Sequence, residues 1–176
     1  KYYRRSLDYN NQIDSEVGRV ICYNSIGQVY IKQNKYSDAK IIIEEGLKKA
    51  IGINDQFYIS SSYINLGWTE MEMSDYKAAE KHLKKGLTIA ENYSLKTAIV
   101  EASSKLSELY TKTGDYKASM MHYKKATELE KTIFSERNMQ YVSDIIIQYE
   151  NEAKNKEIKA LSTQNELINS KLERNQ

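Results

Sequence analysis

His82 and His122 are the entire imidazole supply of this 176-residue chain, so they are the first residues to weigh for chemistry. A histidine pair could bind a metal or supply a general base. The two stand forty residues apart, at equivalent places in successive segments, a spacing that allows them to meet. No cysteine, aspartate or glutamate stands at ligand spacing to complete a zinc set, so no metal is expected. The single cysteine, Cys22, excludes an internal disulfide and any multi-thiolate site. Its place beside Tyr23 reads as a partly buried, inert thiol. The sequence holds no nucleophile paired with a base, no glycine-rich phosphate loop and no nucleotide signature. Its carboxylates are scattered as solvating charge. These residues describe a non-catalytic chain without a cofactor.

Charge narrows the partners further. Lys and Arg number 26 against 24 Asp and Glu, a formal net charge of +2. That balance offers no basic field to a nucleic-acid backbone. No apolar run approaches the roughly 18 residues of a membrane span, so a membrane enters only through a segment further downstream. The chain opens without an initiator methionine or a signal peptide, which reads as a piece of a longer protein.

The elements that must position any site come from a repeat. Proline is absent, glycine numbers 7 and tyrosine 15, a composition that suits long helices rather than sheets. Tyr36, Tyr76 and Tyr116 recur forty residues apart, as do Gly27, Gly67 and Ser107, each of these three preceded by an aliphatic residue. Ala39, Ala79 and Ser119 share a register, as do Gly46, Gly86 and Ala126. Each unit reads as two helices at 3–4 spacing, broken at Gln33-Asn34-Lys35, Met73-Ser74-Asp75 and Thr113-Gly114-Asp115. Asn34, Ser74 and Gly114 hold the slot where a tight turn wants left-handed geometry or a side-chain cap. Small residues at Gly27, Gly67 and Ser107 let two helices approach closely. The fold class is all-α.

Leu66-Gly67, Asp75-Tyr76, Ala79, Leu83 and Gly86 in the second unit resemble the tetratricopeptide repeat, a helix–turn–helix unit of about 34 residues. The first unit matches through Ile26-Gly27, Tyr30, Tyr36, Ala39 and Gly46, and the third through Tyr110, Asp115-Tyr116, Tyr123 and Ala126. Glu70 departs from the pattern where a tyrosine is usual, as do Ser107, Ser119 and the longer period. The resemblance implies a right-handed solenoid of antiparallel helix pairs over residues 1–136, in units 1–16, 17–56, 57–96 and 97–136. The first of these is the second helix of a pair, because Tyr3, Ser6 and Leu7 sit one period before Ile43, Gly46 and Leu47.

In that family the first helix of each pair lines a concave groove, which implies a set of groove candidates by position. They are Asn24, Gln28, Ile31 and Lys32, then Ile64, Trp68, Met71 and Glu72, then Ser104, Glu108, Thr111 and Lys112. The expected centre is apolar around Trp68, with polar rims, the composition of a binding hot spot for a peptide or protein. The competing reading packs Trp68 between helices and uses Met71 to fill a gap. Asn24 and Gln28 partly match the family's carboxylate clamp, but Glu72 and Glu108 oppose it.

Residues 137–176 follow a different rule, a helical pattern with neither glycine nor proline. Tyr141, Ile145, Ile146 and Tyr149 offer an apolar face able to cap the last repeat. Ile158, Leu161, Asn165, Ile168 and Leu172 then step by heptad spacing with one polar member. This seam reads either as a parallel homodimeric coiled coil registered by Asn165, or as a capping tail.

Long repeats followed by an uninterrupted helix resemble the sensor region of bacterial two-component regulators, including sensor histidine kinases. That resemblance implies a sensory, protein-interaction module on the periplasmic side of the inner membrane, signalling through its last helix. The alternatives are a cytoplasmic scaffold and the repeat part of a peptide-responsive transcription regulator.

Overall fold

The computed structural model describes residues 2–174, with the side chains of residues 2–162 and of Glu166. The described chain contains seven α-helices and no strand: α1 (Tyr2–Gln12), α2 (Glu16–Lys32), α3 (Tyr36–Gly52), α4 (Gln56–Glu72), α5 (Tyr76–Asn92), α6 (Lys96–Thr113) and α7 (Tyr116–Arg174). It divides into two compact units, Lys1–Lys131 and Thr132–Gln176.

The turns follow from local chemistry. Asn34, Ser74 and Gly114 carry φ values of 59°, 62° and 85°, as the sequence pattern requires of that slot. The half-period turns use the same conformation at Asp14, Asn54 and Ser94, with φ of 53°, 54° and 53°. In each of the first five turns, the residue after the left-handed one donates its N–H to a carbonyl five residues back. Asp75 to Glu70 at 2.9 Å and Leu95 to Ala90 at 2.8 Å are examples of this helix stop. The next helix then starts on a side-chain cap at Ser15, Asp55, Asp75 and Asp115, whose oxygens accept from Gly18, Tyr58, Ala78 and Ala118.

The small-residue positions perform the close approach expected of them. A Cβ on Gly27 would lie 2.2 Å from Ile43, and one on Gly67 would lie 2.6 Å from Leu83 and 2.9 Å from the Ala79 carbonyl oxygen. The third unit solves the same contact differently. Ser119 donates to the Ser107 carbonyl at 2.9 Å, and the two hydroxyls lie 3.1 Å apart. The two departures from the repeat pattern therefore compensate each other. Around these contacts run two cores, one centred on Val20, Ile43 and Leu66, the other on Ile64, Met71, Leu83 and Leu106.

Within Lys1–Lys131 the helices pack in chain order, and α2 also lies against α4, and α4 against α6. Among the described residues no such contact joins α3 to α5. The first helices of successive pairs are thus drawn together while α3 and α5 stand apart, which puts α2, α4 and α6 on the inner side.

The C-terminal helix starts earlier than the sequence pattern placed it. Helix α7 begins at Tyr116 rather than near Arg137, because neither a glycine nor a left-handed residue interrupts it in that interval. In the unit Thr132–Gln176, Tyr141, Ile145, Ile146 and Tyr149 are all exposed, as are Ile158 and Leu161. Asn165, Ile168 and Leu172 of the heptad seam lie outside the described side chains. Among the described residues no helix is long and apolar enough to cross a membrane.

Candidate ligand-binding face

The twelve groove candidates separate by burial. Ile31, Ile64 and Met71 are interior, at 3%, 1% and 1% exposure, and belong to the core rather than to a binding surface. A first helix here must pack against its own partner, the preceding second helix and both neighbouring first helices, which leaves a narrow free stripe. Ile64 illustrates the constraint, because a Cβ on Gly86 of α5 would come within 2.8 Å of it. Gln28, Trp68, Glu72 and Glu108 are half-buried, and Lys32, Ser104, Thr111 and Lys112 are exposed.

Asn24 is also buried, as the base of a polar ladder between α2 and α4. Its Nδ2 donates to Ser62 Oγ at 3.0 Å, and its Oδ1 accepts from Asn65 Nδ2 at 3.0 Å. Asn65 Oδ1 in turn accepts from Gln28 Nε2 at 3.2 Å. Buried amides are costly unless paired, and this chain of bonds pairs them while locking Gln28, the member nearest solvent. The face beside Trp68 is therefore more polar than the apolar centre that residue types suggested.

Trp68 packs partly into both cores and keeps a ring face toward α6. Lys105 Nζ sits 4.3 Å from its ring centroid and donates to Glu108 Oε2 at 2.9 Å. Glu101, one turn before Lys105, is held above the usual carboxylate range by burial, with Lys105 partly offsetting the shift. Neither Lys105 nor Glu101 nor Asn65 stood among the sequence candidates. Glu101, Lys105 and Glu108 share one stripe of α6 at i, i+4 and i+7, but nothing in the sequence turns that stripe toward Trp68.

The histidines have structural partners instead of a shared site. His82 Nδ1 lies 2.6 Å from Glu70 Oε2, its ring stacked on Tyr63 at 5.9 Å. His122 stacks on Tyr110 at 5.6 Å. Among the described residues no group of three His, Cys, Asp or Glu is placed to hold a metal. Cys22 is fully buried and lies 3.4 Å from Ser6 Oγ.

His122 gives a pH prediction. It is buried, and its Nδ1 has no hydrogen-bond partner among the described residues. Burial first, then Lys125 and Lys84, hold its pKa below the ordinary imidazole value, with Glu91 pulling the other way. The folded chain therefore takes up this proton less readily than the unfolded chain. Stability contributed by the neutral ring is present above the unfolded value near 6.5 and declines as pH falls through it. Urea midpoints should drop between about pH 7.5 and about 5.5, and drop less in His122→Phe. Equal slopes would remove His122 as the source.

Comparison with known proteins settles the family. Two models described as tetratricopeptide repeat match residues 21–56 and 58–132, more than half of the chain. The chain belongs to the tetratricopeptide-repeat family. Among solved structures it resembles a Rap protein complexed with Competence and Sporulation Factor. The identity there is 24% and the TM-score 0.67, covering 73% of this chain and 36% of that one. The chain therefore spans little more than a third of that protein's length. It also resembles the TPR domain of Arabidopsis FLU, at 19% identity, TM-score 0.60, and 66% and 98% coverage. The apo form of RapI matches at 15% identity, TM-score 0.51, and 76% and 61% coverage. At these identities the structural likenesses establish the tetratricopeptide fold. No curated protein matches the chain. Glu70, the departure from the family's usual tyrosine, is buried at 2% exposure and joins α4 to Lys40 at 3.0 Å and to His82.

Proposed function

We propose that the inner face of this tetratricopeptide segment binds an extended peptide or protein segment and does no chemistry on it. The observation that carries the reading is the pairing, on adjacent first helices, of a half-buried Trp68 with a Gln28 held by the Asn24–Ser62–Asn65 ladder. An indole flank supplies contact area, and an oriented amide can pair with a peptide backbone. The fold likeness to a Rap protein complexed with Competence and Sporulation Factor supports the same reading.

In this proposal the module is the sensory part of a signal-transduction regulator. Binding shifts the packing of α2, α4 and α6, and the 59-residue α7 carries the shift onward. Such a relay requires the ligand to favour one of two states. A homodimer through Ile158, Leu161, Asn165, Ile168 and Leu172, and a periplasmic setting, belong to the same proposal. An apolar run of about 18 residues in the parent reading frame beyond Gln176 would support the membrane setting, and a stop codon would remove it.

The test selects peptides from a random display library on the whole chain and measures their affinity by calorimetry. Trp68→Ala should weaken them by tenfold or more, about 1.4 kcal/mol or above. Gln28→Ala should cost several-fold, and Lys49→Ala on the outer side nothing. Full affinity in correctly folded Trp68→Ala and Gln28→Ala would end the groove reading.

A further inference from the structure

We infer that the Trp68 end of the inner face receives a basic side chain of the ligand, arginine fitting best, between the indole ring and the carboxylates of Glu101 and Glu108. This rests on the peptide-binding reading above and specifies what the ligand must carry.

Three observations converge. First, a cation already occupies the ring face, for Lys105 Nζ stands 4.3 Å from the Trp68 centroid. That face of the ring is thus one that a cation can reach, and its quadrupole attracts positive charge. Second, the charges at this place do not balance. Glu101 and Glu108 supply two carboxylates against the one ammonium of Lys105, and that ammonium is committed to Glu108. Glu101 is half-buried and forms no hydrogen bond or ion pair among the described residues, feeling Lys105 only through space. One further cation would bring the cluster to neutrality. Third, the internal cation is weakly held. Lys105 and Glu108 keep 23% and 40% of their side-chain surface exposed, and water weakens both ion pairs and cation–π contacts that it can reach.

A guanidinium suits that position better than an ammonium. It is planar, sheds water more readily, stacks on aromatic faces and offers a fork of donors to a carboxylate. Arriving with the ligand, it would lie on the indole and donate to Glu101, while Lys105 turns toward Glu108 and solvent. The buried amides and Gln28 lie on the α2 side of Trp68 and would meet the backbone next to that residue.

The chain's single tryptophan makes the site its own reporter. The probes are two capped pentapeptides, glycine at four positions with either arginine or citrulline at the centre. Citrulline keeps the shape and loses the charge. Both are titrated into the whole chain while Trp68 emission is followed. The arginine peptide should change the emission saturably, and citrulline should need at least tenfold more peptide. Glu101→Gln should bring the two within about twofold. Lys105→Met, which removes the internal competitor, should tighten arginine binding several-fold.

Equal responses to both peptides would overturn the inference, and so would no response to arginine. A Lys105→Met chain that binds arginine no better than the parent would overturn it as well. Library-selected peptides that still lose affinity in Gln28→Ala would leave the groove reading standing. Peptides indifferent to Gln28→Ala and Trp68→Ala would remove both.

Discussion

Glu70→Ala is expected to destabilise the repeats by about 3 kcal/mol, the largest single-residue effect predicted for this chain. Glu70 Oε1 accepts from Lys40 Nζ of α3 at 3.0 Å, and Oε2 faces His82 Nδ1 of α5 at 2.6 Å. One carboxylate thereby ties α4 to both second helices that flank it. Removing it strands two donors beside a void and leaves Lys40, whose pKa is raised chiefly by its hydrogen bond to Glu70, without its acceptor. The loss stays near the lower end for a broken buried pair, because Lys40 keeps 36% of its side chain exposed and can turn to water. Urea unfolding followed by circular dichroism checks the value. Glu70→Gln keeps the volume and one acceptor, so it should recover part of the loss. A Glu70→Ala chain within about 1 kcal/mol of the parent would show that the buried ionic contact adds little beyond the surface-pair range.

Gly67→Ala is the second large effect, and its sign is the informative part. On helix propensity alone alanine should gain about 1 kcal/mol. The added methyl, however, would sit 2.6 Å from Leu83 Cγ and 2.9 Å from the Ala79 carbonyl oxygen. Leu83 is fully buried and cannot swing away, and a backbone oxygen cannot yield without moving α5. Overpacking of this kind costs about 1–3 kcal/mol or more, so a net loss of roughly 2 kcal/mol is expected. Gly52→Ala is the matched control, at the end of α3 with nothing within 4 Å of the new atom. That substitution should be neutral or stabilising by a few tenths up to about 1 kcal/mol. If Gly67→Ala also stabilised, the close approach of α4 and α5 would not be set by this glycine.

These two residues also show what the sequence made legible. Gly67 was readable because its register mates, Gly27 and Ser107, repeat the same need for a small residue against a bulky one. Asn34, Ser74 and Gly114 were readable because left-handed turns admit few residue types. Glu70 could be recognised as a departure from the repeat pattern, but not as a tie. Its partners Lys40 and His82 come from two other helices, and a surface lysine or histidine looks the same in a sequence as one aimed inward. Burial divides the groove set for a related reason. Positional carry-over placed Ile31, Ile64 and Met71 on the inner side, whereas neighbouring helices cover them, and apolar character was the warning. Asn65, Glu101 and Lys105 stood outside the set because polar residues on a helix read as solvent-facing until the packing of α2, α4 and α6 is known.

The packing of each helix only against near neighbours also has a kinetic meaning. Among the described residues of Lys1–Lys131 the helix contacts span a helix pair or the step to the next, so structure can grow from near neighbours. Folding can begin at any hairpin and spread in both directions, with small loop-closure cost at each step. The interior of the array is held from both sides. Helix α1, which buries none of its residues, is held from one. Amide protons in α4 and α5 should therefore exchange slowest, and those of α1 should open first, well before the rest of the array lets go.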